Sequence, residues 1–236
     1  MKICCIFRGN LENNLRNASS FKACIESVKK LLGGHDVTFF MHLWKSDRDN
    51  EIEIYKPYFK ENNILLEDNS IYSSIINSIA SKYDIRTSYA QVSSMLSLQK
   101  AIELVDKSGE DFDVFFITRP DLLFSEKLEN IEIDDSLIYF NKHLDLISSG
   151  DYCFIGTINN LILFKNLFGY LKEDSSNTLP VKMHFWIYDY IKRICNKEVK
   201  LCNIKVGENC EIYKHLGLYP HIKSKIDIFI NENNIT

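Results

Sequence analysis

Several protein classes announce themselves by features that this chain lacks. No run approaches the roughly 18 consecutive apolar residues that a membrane-spanning helix requires. Nor is there an excess of positive charge. The chain carries 28 Lys and Arg against 32 Asp and Glu, a net charge of -4, so no long-range field draws it to a nucleic-acid backbone. The opening Met1-Lys2-Ile3-Cys4-Cys5-Ile6-Phe7-Arg8 meets an arginine too early, and lacks the small-residue cleavage site, to read as a secretory leader. The seven cysteines include no C-x-x-C pair, which speaks against structural zinc. Cys4, Cys5, Cys24 and Cys195 fall inside apolar periodic segments, where a reduced cysteine acts as a small hydrophobe. The expectation is a reduced, cytoplasmic protein.

Nucleotide and hydrolase signatures are missing as well. No G-x-G-x-x-G follows the first apolar run, which counts against a Rossmann dinucleotide site. The chain has no G-x-x-x-x-G-K-[ST] phosphate loop, no G-x-S-x-G elbow and no H-E-x-x-H zinc spacing. The glycine-rich loop of a nucleotidyltransferase is also absent.

What is present is ordinary globular material. The chain has 236 residues, 45% hydrophobic and 25% charged, enough for one large domain with its own core. Lys2 to Phe7 reads as a short buried strand closed by Arg8-Gly9-Asn10. Ser19 and Ser20 offer caps to a helix carrying Phe21, Cys24, Ile25, Val28, Leu31 and Leu32, which Gly33-Gly34 ends. Val37 to Trp44 is a second buried strand. Strand, helix and strand with unbroken hydrophobicity spell a βαβ unit in a parallel sheet.

Further on, Ile64 to Leu66 reads as a strand and Ile71 to Tyr83 as a weak helix. Ser88 to Asp106 is a firm helix with Val92, Met95, Leu96, Ile102 and Val105 on one stripe. Asp113 to Ile117 is the clearest central strand, and Pro120 requires the chain to leave the sheet soon after it. Strands at Ser136 to Phe140 and Cys153 to Ile155, a helix capped by Asn159 or Asn160, another from Val181 to Cys195, and a late strand around Val199 to Ile204 complete one α/β domain with no linker.

In an open parallel sheet, ligands bind beyond the carboxyl ends of the strands. Those ends are Arg8-Gly9, His42 to Trp44, and Thr118 to Asp121. Arginine is scarce here, six against twenty-two lysines. Two of the six at strand ends, with Arg16 just after the first, suit a forked grip on a diphosphate. The competing reading of Arg8 is a surface salt-bridge residue.

Phe7-Arg8-Gly9, His42-Leu43-Trp44, a helix opening around Tyr89 and Gln91, Thr118-Arg119-Pro120-Asp121-Leu122 and Gly150-Asp151-Tyr152-Cys153-Phe154-Ile155-Gly156 follow in order. In that order and spacing the chain resembles small GT-A-type glycosyltransferases of surface-polysaccharide assembly, over roughly residues 1–195. The resemblance implies a single GT-A-like, Rossmann-like domain over 1–236. It would have a mostly parallel central sheet flanked by helices. It also implies transfer of a sugar from a nucleotide-diphosphate donor to a glycan or lipid-linked hydroxyl, with peripheral membrane contact left open.

Such enzymes carry a D-x-D at the end of the central strand, which holds a divalent metal and the donor. Here the position reads Arg119-Pro120-Asp121, so one carboxylate is replaced by a cation. Asp121 is then the ligand for any Mn²⁺ or Mg²⁺. Arg119, with Arg8 or Arg16, supplies positive charge whether or not a metal binds. Arg8, Gly9, Arg16, Trp44 and Gln91 fall to the donor. Trp44 is otherwise core, and Gln91 otherwise a first-turn residue. Asp151 is the candidate base for an acceptor hydroxyl, or a turn residue after Gly150; Asp145 is a weaker candidate base. His184 is an accessory group or a half-buried helix histidine. Asp189 is expected to pair with Arg193. Two other readings stand beside this one: a non-catalytic sugar-nucleotide or glycan-binding protein of the same fold, and a sugar nucleotidyltransferase.

Overall fold

Lys2–Phe7 forms β1 and is buried on both sides. Cys4 and Ile6 enter one core, while Ile3, Cys5 and Phe7 enter another. Successive strand side chains point to opposite faces, so a strand covered on both faces reads as a continuous apolar run. The computed structural model describes residues 1–8, 18–45, 52–83, 88–120, 122–125, 127–128, 132–142, 149–173, 183–205, 210–212, 228 and 231–232.

After β1 come α1 (Ala18–Leu31), β2 (Asp36–Trp44), the single turn α2 (Ile52–Tyr55), β3 (Ile64–Glu67), α3 (Ser73–Ala80) and α4 (Ser88–Ser108). Then follow β4 (Val114–Thr118), β5 (Leu122–Phe124), β6 (Leu137–Lys142), β7 (Ser149–Thr157) and α5 (Leu161–Glu173). The described elements end with α6 (Met183–Asp189), β8 (Glu198–Lys205) and β9 (Cys210–Ile212).

The α/β architecture expected from the sequence is present. Seven strands form one sheet in the order β3-β2-β1-β4-β7-β6-β8. β1 pairs in parallel with β2 and β4, β2 with β3, and β6 with β8. β7 alone runs the other way, antiparallel to both β4 and β6. From β1 the chain steps outward to β2 and β3, then returns to lay β4 on the opposite side of β1. The order therefore reverses between β1 and β4.

Helix α1 covers one face with Phe21, Ile25, Val28 and Leu31. Helices α3 to α6 cover the other, where Trp186 is fully buried. Phe154 of β7 is a pivot of this second core, 4.8 Å from the Phe140 ring and 5.2 Å from Phe164.

Some local expectations change. Helix α1 starts at Ala18, so Ser19 and Ser20 lie inside its first turn rather than capping it. Asn160 does not cap α5: its side-chain amide donates to the Asp135 carbonyl at 2.9 Å, and Thr157 stands at the cap of the 3₁₀ turn that leads in. Pro120 does end the central strand, and β5 joins β9 in a separate two-stranded sheet. The Asp189–Arg193 pair forms at 3.1 Å. No described helix is long and apolar enough to cross a membrane.

Candidate functional site

The last rung joining β1 to β4 places two arginines side by side. The Arg8 amide donates to the Thr118 carbonyl at 2.9 Å. Arg8 and Arg119 therefore sit at the carboxyl ends of adjacent parallel strands, at the point where strand order reverses. Open α/β sheets form their ligand crevice at such a point.

Arg8 is not a surface salt-bridge residue: it is only 2% exposed. Its guanidinium carbon stands 5.5 Å from the centre of the Phe154 ring, and Nη1 lies 3.5 Å from the Ser94 hydroxyl on α4. Arg119 is half-buried, with its guanidinium carbon 5.3 Å from the centre of the Tyr152 ring. Tyr152 and Phe154 both lie on β7, but Phe154 belongs to the core under α3 to α6 while Tyr152 packs against the core under α1. One strand thus offers an aromatic seat to each guanidinium, and each gains cation–π attraction. A guanidinium keeps its charge at any ordinary pH. A charge in partly desolvated surroundings acts strongly on a nearby anion. Beside them, the buried Thr118 Oγ1 has no hydrogen-bond partner among the described residues.

Next along the lip, β2 ends in Trp44, half-buried and edge-on to the His42 ring at 4.5 Å. His42 itself is fully buried. Its Nδ1 lies 2.9 Å from Ser97 Oγ, and its Nε2 lies 3.1 Å from Glu67 Oε2 at the end of β3. Glu67 also accepts from the Tyr72 hydroxyl at 3.0 Å and faces Lys100 Nζ at 3.7 Å. Burial pushes His42 down to about 4, against the opposing pull of Glu67, so the ring is neutral at pH 7. Burial alone would raise Glu67, but Tyr72, Lys100 and His42 together hold it below the usual carboxylate range. Ser, His and Glu in a row resemble a nucleophile relay. Ser97 is fully buried, however, so the row acts as a brace tying β2, β3 and α4 together under Trp44.

Cys4, in the middle of β1, is pushed up to about 12 by burial, and Cys5 well above its ordinary value, so neither thiol is a nucleophile.

Of the residues singled out from the sequence, Arg8, Trp44 and Arg119 lie on this lip. Gln91 is half-buried in the first turn of α4, one helical turn before Ser94 and on the same side of the helix. Asp151 lies in β7 directly before Tyr152, and His184 lies in α6, which packs against β7; the side chains of both fall outside the described part. Gly9, Arg16, Asp121 and Asp145 lie outside the described residues altogether. The described lip side chains Arg8, Trp44, Arg119 and Tyr152 include no carboxylate. No group of three or more His, Cys, Asp or Glu among the described residues is placed to hold a metal ion.

Sequence reasoning did not assign roles to Ser94, Thr118 and Tyr152. Tyr152 is legible only once β7 is known to run antiparallel beside β4. The register pairs Ile117 with Phe154, and continuing it sets Arg119 opposite Tyr152.

No protein-family model matches this chain, and no curated protein sequence matches it significantly.

Proposed function

We propose that the chain is a glycosyltransferase that moves a sugar from a nucleoside-diphosphate donor to a hydroxyl of a glycan or lipid-linked acceptor. The observation that carries this reading is the pairing of Arg8 and Arg119 across the β1/β4 reversal, each against an aromatic ring of β7. Two fixed positive charges at a strand-end crevice suit a diphosphate better than any uncharged ligand.

In the reaction, the bond between the anomeric carbon and the β-phosphate oxygen breaks, and the acceptor oxygen forms a new bond to that carbon. The departing diphosphate gains negative charge as the bond lengthens, and the guanidiniums lower the energy of that charge. The acceptor proton passes to the Asp151 carboxylate in this reading. Trp44 offers a flat face to the base or sugar ring. Arginine at the position where the resemblance places a first metal-binding aspartate supplies part of the positive charge, with or without a divalent metal on Asp121.

The test is calorimetric titration of the whole chain with UDP-, GDP-, CMP- and TDP-sugars, in Mn²⁺ and in EDTA. Product analysis with the donor that binds then follows. Binding of one donor class, with transfer or slow donor hydrolysis that Asp151→Asn abolishes, is the expected outcome. Absence of binding under both conditions contradicts the reading. Binding without turnover converts it to a non-catalytic sugar-nucleotide-binding protein.

A further inference from the structure

The β6–β7 ladder is interrupted beside the crevice. Phe140 pairs with Phe154, but the next pair is Lys142 with Ser149. Between these rungs Asn141 alone on β6 faces Gly150, Asp151, Tyr152 and Cys153 on β7. The β7 segment that holds the candidate base and the aromatic seat of Arg119 is therefore a bulge. Its amides cannot all reach the backbone carbonyls of β6. Buried amides without acceptors are costly, so something must replace the missing carbonyls.

Asn141 does so with its side chain. The residue is fully buried, and its Oδ1 accepts from the amides of Tyr152 at 2.9 Å and Cys153 at 3.1 Å. One amide oxygen thus fixes the two peptide units that follow Asp151. Tyr152 in turn lies under the Arg119 guanidinium at 5.3 Å. Bulges re-aim side chains and recur next to functional sites. Here the extra residues carry the strand's start toward the carboxyl end of β4.

We infer that Asn141 is a positioning residue of the proposed site: its side-chain oxygen pins the β7 bulge, which sets both the Arg119 seat and the backbone of Asp151. Asn141 does not touch the ligand and acts through Tyr152. The inference rests on the reading of this lip as a diphosphate site. It adds a residue that lies on a different strand from every residue assigned to that site.

The test uses the full chain and UDP and GDP as probes, titrated by calorimetry, with hydrogen exchange followed at the Tyr152 and Cys153 amides. Asn141→Ala removes the acceptor. It is expected to speed exchange at both amides and to weaken nucleotide affinity about tenfold, the scale of one weakened hydrogen bond to a charged group. Asn141→Asp keeps an acceptor at the same reach and is expected to restore protection and most of the affinity. In an Arg119→Ala background, Asn141→Ala is expected to cost little further affinity, because its effect runs through Arg119. A merely structural role would lower affinity alike in both backgrounds and overturn the inference; so would unchanged affinity in Asn141→Ala. If Asn141→Ala does not fold, Tyr152→Ala against Tyr152→Phe decides: the first must lose affinity and the second keep it. Failure of the unmodified chain to bind either nucleotide overturns the functional reading itself and this inference with it.

Discussion

Arg8 and Thr118 share the final rung of the β1–β4 ladder, with the Arg8 amide 2.9 Å from the Thr118 carbonyl. That bond brings residues more than a hundred positions apart in the chain to one lip. It also fixes the backbone from which the Arg8 side chain runs toward Phe154 and Ser94. The arginine reaches its place through strand register rather than a flexible loop, so its geometry is set before any ligand arrives.

Arg8→Lys keeps the charge but loses the planar fork. It is expected to weaken nucleoside-diphosphate affinity by about tenfold, equivalent to about 1.4 kcal/mol. Arg8→Ala is expected to weaken it further. Calorimetry on both variants, with circular dichroism to confirm folding, checks the order wild type, Lys, Ala.

The two tryptophans give an internal optical control. Trp186 is fully buried, whereas Trp44 is half-buried on the lip. Donor binding is expected to change the emission of Trp44 alone. Trp44→Phe should abolish the ligand-dependent signal, while Trp186→Phe should leave it in place.

His42 makes stability depend on pH. Its folded value of about 4 lies below the ordinary histidine value of 6.5, so the unfolded chain binds a proton that the folded chain refuses. The associated stability is fully present above pH 6.5 and is lost as pH falls toward 4. Its size is on the order of 3 kcal/mol for a shift of this extent. Glu67, held below its ordinary value, acts in the same direction at the acid end. Urea unfolding at steps from pH 7.5 to 4.5 should show this decline, and His42→Asn should flatten it.

Gly156 tests the packing behind the site. A Cβ there would stand 2.9 Å from Phe115 Cε1, and Phe115 is fully buried. Gly156→Ala is expected to cost about 1–3 kcal/mol through overpacking, read as a lower urea midpoint with unchanged slope.

The sequence made the strands and the lip legible for one physical reason. Strands buried on both faces leave continuous apolar runs, and such runs stop where the strand leaves the sheet. Arg8, Trp44 and Arg119 stand at those stops, so the sheet rule alone placed them. The bulge was not legible. Cys153 to Ile155 looks like a three-residue strand, because Gly150 and Asp151 are poor strand formers. Only pairing with β4 and β6 reveals the longer β7 and its reversed direction. Asn141 could not be found from local pattern either, since its partners lie on the next strand. His42 looked like a lip residue, yet its neighbours Ser97 and Glu67 draw it inward.

The most direct test of the account is a crystal of the chain grown with the donor nucleotide that binds it. The account predicts the diphosphate at the carboxyl ends of β1 and β4, with phosphate oxygens within hydrogen-bond distance of the Arg8 and Arg119 guanidiniums. A nucleotide bound elsewhere on the molecule, or a diphosphate touching neither arginine, would contradict it.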